Sequence, residues 1–388
     1  MTVSCHGPLE PLWIDQVDDV VALSERARSA GVMAVDTEAD SFHSYHHKLC
    51  LVQVSSQGVH ALLDPLRLGL HGLAPLVEVL EDRNCLKVMH GADYDVRTLD
   101  RDLGARVVGL ADTQLAAQLL GERQTGLAHL LEKELGVRLN KDLQRADWSV
   151  RPLSAAHRAY AAADTAYLEA LLERLRGRLR VLGRLWWWEE ECCALEEVRY
   201  EPPASGAFAF ERIKGARALQ GQARDRLAAL YRWREEVASA ADVAPFKVMG
   251  GDAMLRLARE VPADLAALAK VPGVGQANVR RYGAALLELL HQAPPAPRRE
   301  RTQRPPVDRV FEARVKAARA ARDERARDLD LDSGVLAPRE RLEEVVRALP
   351  ADVDTLARCL GRRWRAVALA PALLPLLLGW RTASSAPS

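Results

Sequence analysis

Features that would mark a secreted, membrane-bound or disulfide-stabilised protein are absent from this sequence. The chain of 388 residues contains six cysteines, with no CxxC pair and no regular spacing among them. That usage argues against a disulfide framework and indicates reduced thiols in a cytoplasmic protein. No uncharged apolar run opens the chain, so we expect no signal peptide. The most apolar late segment, VALAPALLPLLLGW, is too short for a membrane span and contains two prolines.

The chain also lacks an overall excess of either charge, since its formal net charge at pH 7 is +1. The charges are nevertheless unevenly distributed. Residues 1–200 contain 22 Lys and Arg against 30 Asp and Glu, whereas residues 201–388 contain 32 against 23. An acidic first half and a basic second half are typical of a metal-carboxylate site joined to a nucleic-acid-binding part, although chance segregation would give the same asymmetry.

Apolar runs alternate with turn residues in the first part of the chain and predict one α/β domain. Strands are predicted at 31–39, 49–56, 58–65 and 85–91, and helices around 72–82 and at 92–104, 112–120, 126–136 and 154–200. The order β-β-β-α-β-α indicates a mixed sheet flanked by helices. Three adjacent tryptophans at 186–188 cannot share one helix face, so we expect some of them to pack against a following domain.

The second half of the chain predicts two all-helical modules. Helical patterns cover 216–292 and 309–378, and the segment between them is rich in Pro and Arg, which predicts an unfolded linker. We therefore expect domains at 1–205, 209–292 and 309–380, a linker at 293–308, and a disordered tail at 381–388. The two modules are similar in length, which is consistent with a divergent repeat.

Carboxylates stand at the end of one predicted strand and at the start of a predicted helix. Asp36 and Glu38 are two positions apart on the strand, so their side chains point to the same side. Buried carboxylates need a counter-charge or a metal, and hard cations such as Mg²⁺ and Mn²⁺ prefer oxygen ligands. A solvated polar strand end is the alternative. In MHGADYDVRTL, the apolar periodicity places Asp95 beside the buried side of the helix and leaves Asp93 as the better cap.

The segment AYAAAD adds Tyr160 and Asp164, which are four residues apart and share one face of a predicted helix. Alone they would be ordinary packing residues. The ordered set VDTE, HGADYD and YAAAD, however, resembles the three exonuclease motifs of the DEDD family. Together with LCLVQVSS, LLDPL and ADTQLAAQLLG, it resembles the ribonuclease D family in particular, over roughly residues 10–200.

The resemblance implies a ribonuclease H-like domain that removes nucleotides from the 3′ end of RNA by two-metal hydrolysis, with Mg²⁺ or Mn²⁺. It places the metal-binding carboxylates at Asp36, Glu38, Asp95 and Asp164. Tyr160 takes the place of the tyrosine that orients the attacking water, and all five residues count as catalytic. The implied substrates are tRNA precursors and other structured RNAs with single-stranded 3′ ends. We expect a monomer that needs no small-molecule cofactor and no membrane.

Two other functions remain open at this point. The first is a 3′→5′ DNA exonuclease resembling the Werner syndrome exonuclease. The second is a nucleic-acid-binding protein whose site has decayed, although decay would remove an acid and all four are present. No helicase motor is visible, and KVMGGD lacks the G-K-[ST] ending of a phosphate loop.

Candidate substrate-binding residues lie in two places. Lys141, Arg145, Trp148 and Arg151 precede the third motif and are suited to phosphates or base stacking, unless Trp148 belongs to the core and the basic groups are solvated. The helical segment 216–292 resembles an HRDC domain, most clearly in VPGVGQANVRRYG. There Gly273 and Gly275 precede a helix whose free N–H groups suit a phosphate, and Arg280 and Arg281 follow. Segment 309–378 resembles a second, degenerate HRDC domain without that turn.

Overall fold

The computed structural model describes residues 9–139, 143–144, 146–202, 206–298 and 308–385. Within them, the first domain contains one six-stranded sheet in the order β1-β4-β3-β2-β5-β6. Pairs β2/β3 and β3/β4 are antiparallel, whereas β1/β4, β2/β5 and β5/β6 are parallel. The predicted mixed sheet is therefore confirmed. The strands are β1 Leu12–Ile14, β2 Val32–Ala39, β3 Leu49–Ser56, β4 Val59–Leu63, β5 Leu86–Met89 and β6 Leu110–Asp112.

Eight helices belong to this domain within the described ranges. They are α1 Val17–Ala30, α2 Pro65–Leu80, α3 Asp93–Leu103, α4 Thr113–Leu119, α5 Leu127–Leu135, α6 Ala155–Ala166, α7 Leu168–Val181 and α8 Leu185–Glu196. The prediction from sequence lacked α1, β1 and β6, and it ran α6 to α8 together. Strands of three residues are too short to show alternation. Asp112 ends β6 and also caps α4, where its carboxylate accepts hydrogen bonds from the backbone N–H of Gln114 and Leu115.

Strand β3 lies at the centre of the sheet and is buried at all eight positions. This explains why LCLVQVSS is almost continuously apolar, since a strand covered on both faces has no solvent side. Its register with β2 pairs Asp36 with Gln53 and Glu38 with Leu51. The acidic end of β2 is therefore attached to the most deeply buried part of the fold.

The second and third modules are helical, and each contains five α-helices within the described ranges. The second contains α9 Gly221–Ala241, α10 Pro245–Val248, α11 Gly251–Glu260, α12 Leu265–Lys270 and α13 Gln276–His291. The third contains α14 Arg309–Asp328, α15 Ser333–Leu336, α16 Arg339–Ala348, α17 Val353–Leu360 and α18 Arg363–Ser385. In chain order, the helices are 21, 4, 10, 6 and 16 residues long in the second module and 20, 4, 10, 8 and 23 residues long in the third.

Rare backbone conformations recur at matching places in the two modules. Asp242 and Asp330, after the first helix of each, have φ of 46° and 49°. Val261 and Leu349, after the third helix, have φ of 41° and 45°. A left-handed backbone is uncommon for residues other than glycine. Its recurrence at two matched turns supports the divergent repeat.

Two predicted unstructured segments are partly ordered. Ala296, in the predicted linker, is buried, and its N–H donates to the Asp225 carboxylate on α9. The predicted tail at 381–388 is wrong for residues 381–385, because α18 continues to Ser385. No helix within the described ranges is long and apolar enough to cross a membrane.

The third module shares one hydrophobic core with the first domain, whereas the second module has a core of its own. The rings of Trp187 on α8 and Trp364 on α18 stack with centroids 4.9 Å apart. Glu191 accepts a hydrogen bond from Trp364 Nε1 at 2.8 Å and pairs with Arg362 and Arg365. The expected packing of a tryptophan against a later domain is therefore confirmed.

Replacement of Trp364 by alanine should destabilise the shared core. Loss of a fully buried tryptophan costs about 3–5 kcal/mol of unfolding free energy. Trp186→Ala is the matched control, because Trp186 lies on α8 beside Trp187 and is 39% exposed. Its replacement should cost less than about 1 kcal/mol. Denaturant unfolding of both variants measures the difference. Equal losses would mean that burial and stacking of Trp364 in the shared core stabilise the protein no more than a partly exposed tryptophan does.

Candidate active site

Strand β2 and helix α6 bring three carboxylates together. Asp36 and Glu38 project from β2, and Asp164 projects from α6, which begins at the cap Ser154 and packs across β2, β3 and β4. One oxygen from each of the three acids lies within 4.8 Å of the others. Among the described residues, this is the only group of three or more potential metal-ligating side chains that meets this spacing.

Asp95 lies beside this group without joining it. It is buried near the start of α3, and its Oδ1 accepts a hydrogen bond of 2.5 Å from Thr37 Oγ1. Thr37 is the residue between Asp36 and Glu38, so the bond links α3 to the acidic end of β2. Asp93 instead pairs with Arg97 at 2.9 Å on the surface and caps nothing. Of the two acids in this motif, Asp95 is the one next to the carboxylate group.

Burial and close neighbouring carboxylates raise the pKa values of the acids in this site. Burial, followed by the charges of Asp36, Asp164 and Asp95, raises the pKa of Glu38 to about 10. Burial is also the largest cause that raises the pKa of Asp36, Asp95 and Asp164. An all-oxygen donor set with excess negative charge suits a hard divalent cation. The residues present therefore fit a site for a hard divalent cation.

Tyr160 lies one helical turn before Asp164 on α6. Burial first, and then the neighbouring carboxylates Asp164, Glu38 and Asp36, raises the pKa of its phenol above the ordinary value of 10. The hydroxyl therefore keeps its proton at neutral pH and is a hydrogen-bond donor rather than a base. The ring of Trp148 lies behind it, with centroids 6.0 Å apart.

The candidate substrate-binding residues before α6 that the structure describes are buried or paired within the protein. Trp148 is only 1% exposed, so it cannot stack on a base and the core alternative holds. Arg151 donates to both carboxylate oxygens of Asp64, each at 2.8 Å, and to the carbonyl oxygens of Trp148 and Cys50. Its guanidinium holds the fold together and is not available to a phosphate. Lys141 and Arg145 lie outside the described residues.

The candidate contacts in the second module are each exposed. Gly275 caps α13, and Gly273 has a φ of +89°, which glycine tolerates best. Arg280 and Arg281 are exposed on the first turns of α13. Gln276 and Ala277, the first two residues of α13, are exposed in the structure.

Thr37 and Gln53 were absent from the sequence-based site, although both are polar residues at fully covered strand positions. Thr37 orients Asp95, as described above, and Gln53 is paired with Asp36 across the sheet. A polar side chain inside an apolar strand was the signal that could have identified Gln53.

Two protein-family models match this chain and define its class of protein. A family model described as 3′-5′ exonuclease matches residues 11–180, which hold all five residues of the acidic site. An HRDC domain model matches residues 223–290. The first domain is therefore a 3′-5′ exonuclease domain, and it is followed by an HRDC domain.

Individual relatives identify the family of 3′-5′ exonucleases to which the chain belongs. Ribonuclease D of Acidiphilium cryptum is 34% identical over 326 residues, which cover 80% of this chain and 81% of that protein. The crystal structure of Escherichia coli RNase D, described as an exoribonuclease involved in structured RNA processing, has a TM-score of 0.68 at 26% identity and matches 96% of this chain and 100% of that one. The exosome complex exonuclease RRP6 of Saccharomyces cerevisiae is 32% identical, but this chain spans only 40% of its length. The chain belongs to the ribonuclease D family of 3′-5′ exoribonucleases.

The raised pKa values predict an unusual pH dependence for the metal-free protein. Between the ordinary Glu38 pKa of 4.5 and its folded value of about 10, the folded state binds more protons than the unfolded state. The site's contribution to stability therefore falls as the pH rises through that window. A divalent ion replaces the protons, so Mn²⁺ should raise the melting temperature more at pH 8 than at pH 5.5. A hundredfold excess of the ion over its Kd stabilises by about 2.7 kcal/mol.

Thermal unfolding in chelator and in Mn²⁺ at the two pH values measures this effect. The double variant Asp36→Asn, Glu38→Gln is the control, and it should lose the difference between the two pH values. Equal stabilisation of the parent at both would show that the carboxylates are already ionised without metal.

Proposed function

We propose that this chain trims the 3′ ends of tRNA precursors and other structured RNAs, and that it releases nucleoside 5′-monophosphates by metal-dependent hydrolysis. The observation that carries the proposal is the group of three carboxylates within 4.8 Å, with Asp95 beside it and Tyr160 one helical turn away. The description of the Escherichia coli relative as a structured-RNA exoribonuclease supports the substrate class.

Asp36, Glu38, Asp95 and Asp164 would hold two divalent ions, Mg²⁺ or Mn²⁺. When bound, such ions stabilise charge on the attacking and leaving oxygens and lower the pKa of a bound water. Tyr160 keeps its proton and orients the attacking water, while the packing of Trp148 behind it limits movement of the ring. Thr37 fixes the direction of the Asp95 carboxylate.

The three domains would have different roles. We assign residues 1–205 to catalysis and 209–292 to gripping the RNA body, with phosphates at the start of α13 near Gly273, Gly275, Arg280 and Arg281. In residues 309–380 the matching helix start is already occupied, because Glu190 of α8 accepts hydrogen bonds from the N–H groups of Arg363 and Trp364. We therefore assign the third module a structural role, in a cytoplasmic monomer.

Asp36→Asn should abolish trimming and leave RNA binding intact. The substitution removes a metal-ligating charge, and we expect a rate loss of roughly 10²–10³-fold or more, as for the loss of a central electrostatic group. The assay follows matched 3′-tailed RNA and DNA with Mg²⁺, Mn²⁺ or chelator. Asp93→Asn is the matched control, because it removes the same charge from an acid two residues before Asp95 that pairs with Arg97 on the surface.

Trimming by Asp36→Asn at the parent rate would reject the site, and a preference for DNA over RNA would reject the substrate class. Activity in chelator would reject the metal requirement.

Tyr160→Phe should lower kcat more than it lowers metal affinity. The ring and its packing against Trp148 are kept, so only the hydroxyl that orients the water is lost. A misplaced nucleophile costs roughly a hundredfold in rate. Single-turnover kinetics give the rate, and calorimetric titration with Mn²⁺ gives the affinity. Loss of Mn²⁺ binding with an unchanged rate at saturating metal would assign Tyr160 to the metal instead.

A further inference from the structure

Gln53 on β3 is a buried amide without a partner. Its side chain has no exposed surface, and neither Nε2 nor Oε1 has a hydrogen-bond partner in the part of the chain that the structure describes. Its polar neighbours along the strand are satisfied, since Ser55 Oγ bonds Thr165 Oγ1 at 2.7 Å and Ser56 Oγ donates to the Val32 carbonyl oxygen. An unpaired amide in a dry interior costs stability, so its presence calls for a ligand.

The strand register places this amide beneath the acidic site. Gln53 is directly opposite Asp36 on β2 and Leu62 on β4, and side chains opposite each other in antiparallel strands share a face. Helix α6 covers that face, because Leu62 packs with Ala161 and Ser55 bonds Thr165. Gln53 therefore lies under the turn of α6 that carries Asp164.

We propose that Gln53 is a positioning residue for Asp36, and that its Nε2 donates a hydrogen bond to the Asp36 carboxylate when this carboxylate binds a divalent ion. The inference rests on the metal site proposed above. A carboxylate that gives one oxygen to a metal keeps lone pairs for a donor, and such donors hold the ligand in its binding orientation.

The test separates metal affinity from stability. Gln53→Met keeps the unbranched shape and removes the amide, so the metal-free protein should melt at the parent temperature or above it. Its Mn²⁺ affinity, measured by calorimetry without nucleic acid, should fall about 10–100-fold. Val54→Ala is the matched control on the other face of β3. It should lower the melting temperature and leave the Mn²⁺ affinity unchanged.

An Mn²⁺ affinity of Gln53→Met within twofold of the parent overturns the proposal, and so does a lower melting temperature in chelator with unchanged affinity. Gln53→Leu repeats the measurement if the Met variant fails to fold. Failure of both to fold overturns the proposal as well, because the metal-free fold should not need the amide. A parent that binds no Mn²⁺ rejects the metal site itself, which is a separate outcome.

Discussion

Mutual repulsion among buried carboxylates is the constraint on which the rest of this molecule depends. Asp36, Glu38 and Asp164 meet within 4.8 Å, with Asp95 alongside, and burial raises the pKa of each. Such a group can exist only with bound protons or with cations. Without either, the ionised acids would repel one another, so the fold must hold them in place while protons are exchanged for cations.

The sheet and α6 hold the acids in place through polar contacts as well as apolar packing. Thr37 ties Asp95 to β2, and the Ser55–Thr165 bond ties α6 to β3 next to the acids. Each contact is buried, where a hydrogen bond is directional and costly to break. The site thus combines a close acid group with short tethers one residue away from its members.

The acids were predictable from sequence because motif order and strand periodicity both report on local chain geometry. Alternation put Asp36 and Glu38 on one side of a strand, and the buried face of α3 favoured Asp95 over Asp93. The resemblance to the exonuclease motifs then singled out these acids as metal ligands, because alternation alone also allowed a solvated strand end. Three-residue strands such as β1 and β6 leave no such pattern. The roles of Trp148 and Arg151 were also beyond reach, because their partners are distant in sequence: Arg151 pairs with Asp64, 87 residues away. Only the folded structure shows that the guanidinium of Arg151 already pairs with another residue of the chain.

The second and third modules have matching turns but differ at the starts of their last helices. Matching left-handed turns face the exonuclease domain in both modules. Asp242 accepts from the N–H groups of Tyr45 and His46, while Asp330 sits so close to Gly121 that a Cβ there would lie 2.1 Å from its carbonyl oxygen. The helix starts differ, however. The N–H groups at the start of α18 face Glu190, an internal anion, whereas α13 begins in the open. Glu190 of α8 thereby fills the helix start of the third module and joins that module to the exonuclease domain, with which it shares one hydrophobic core.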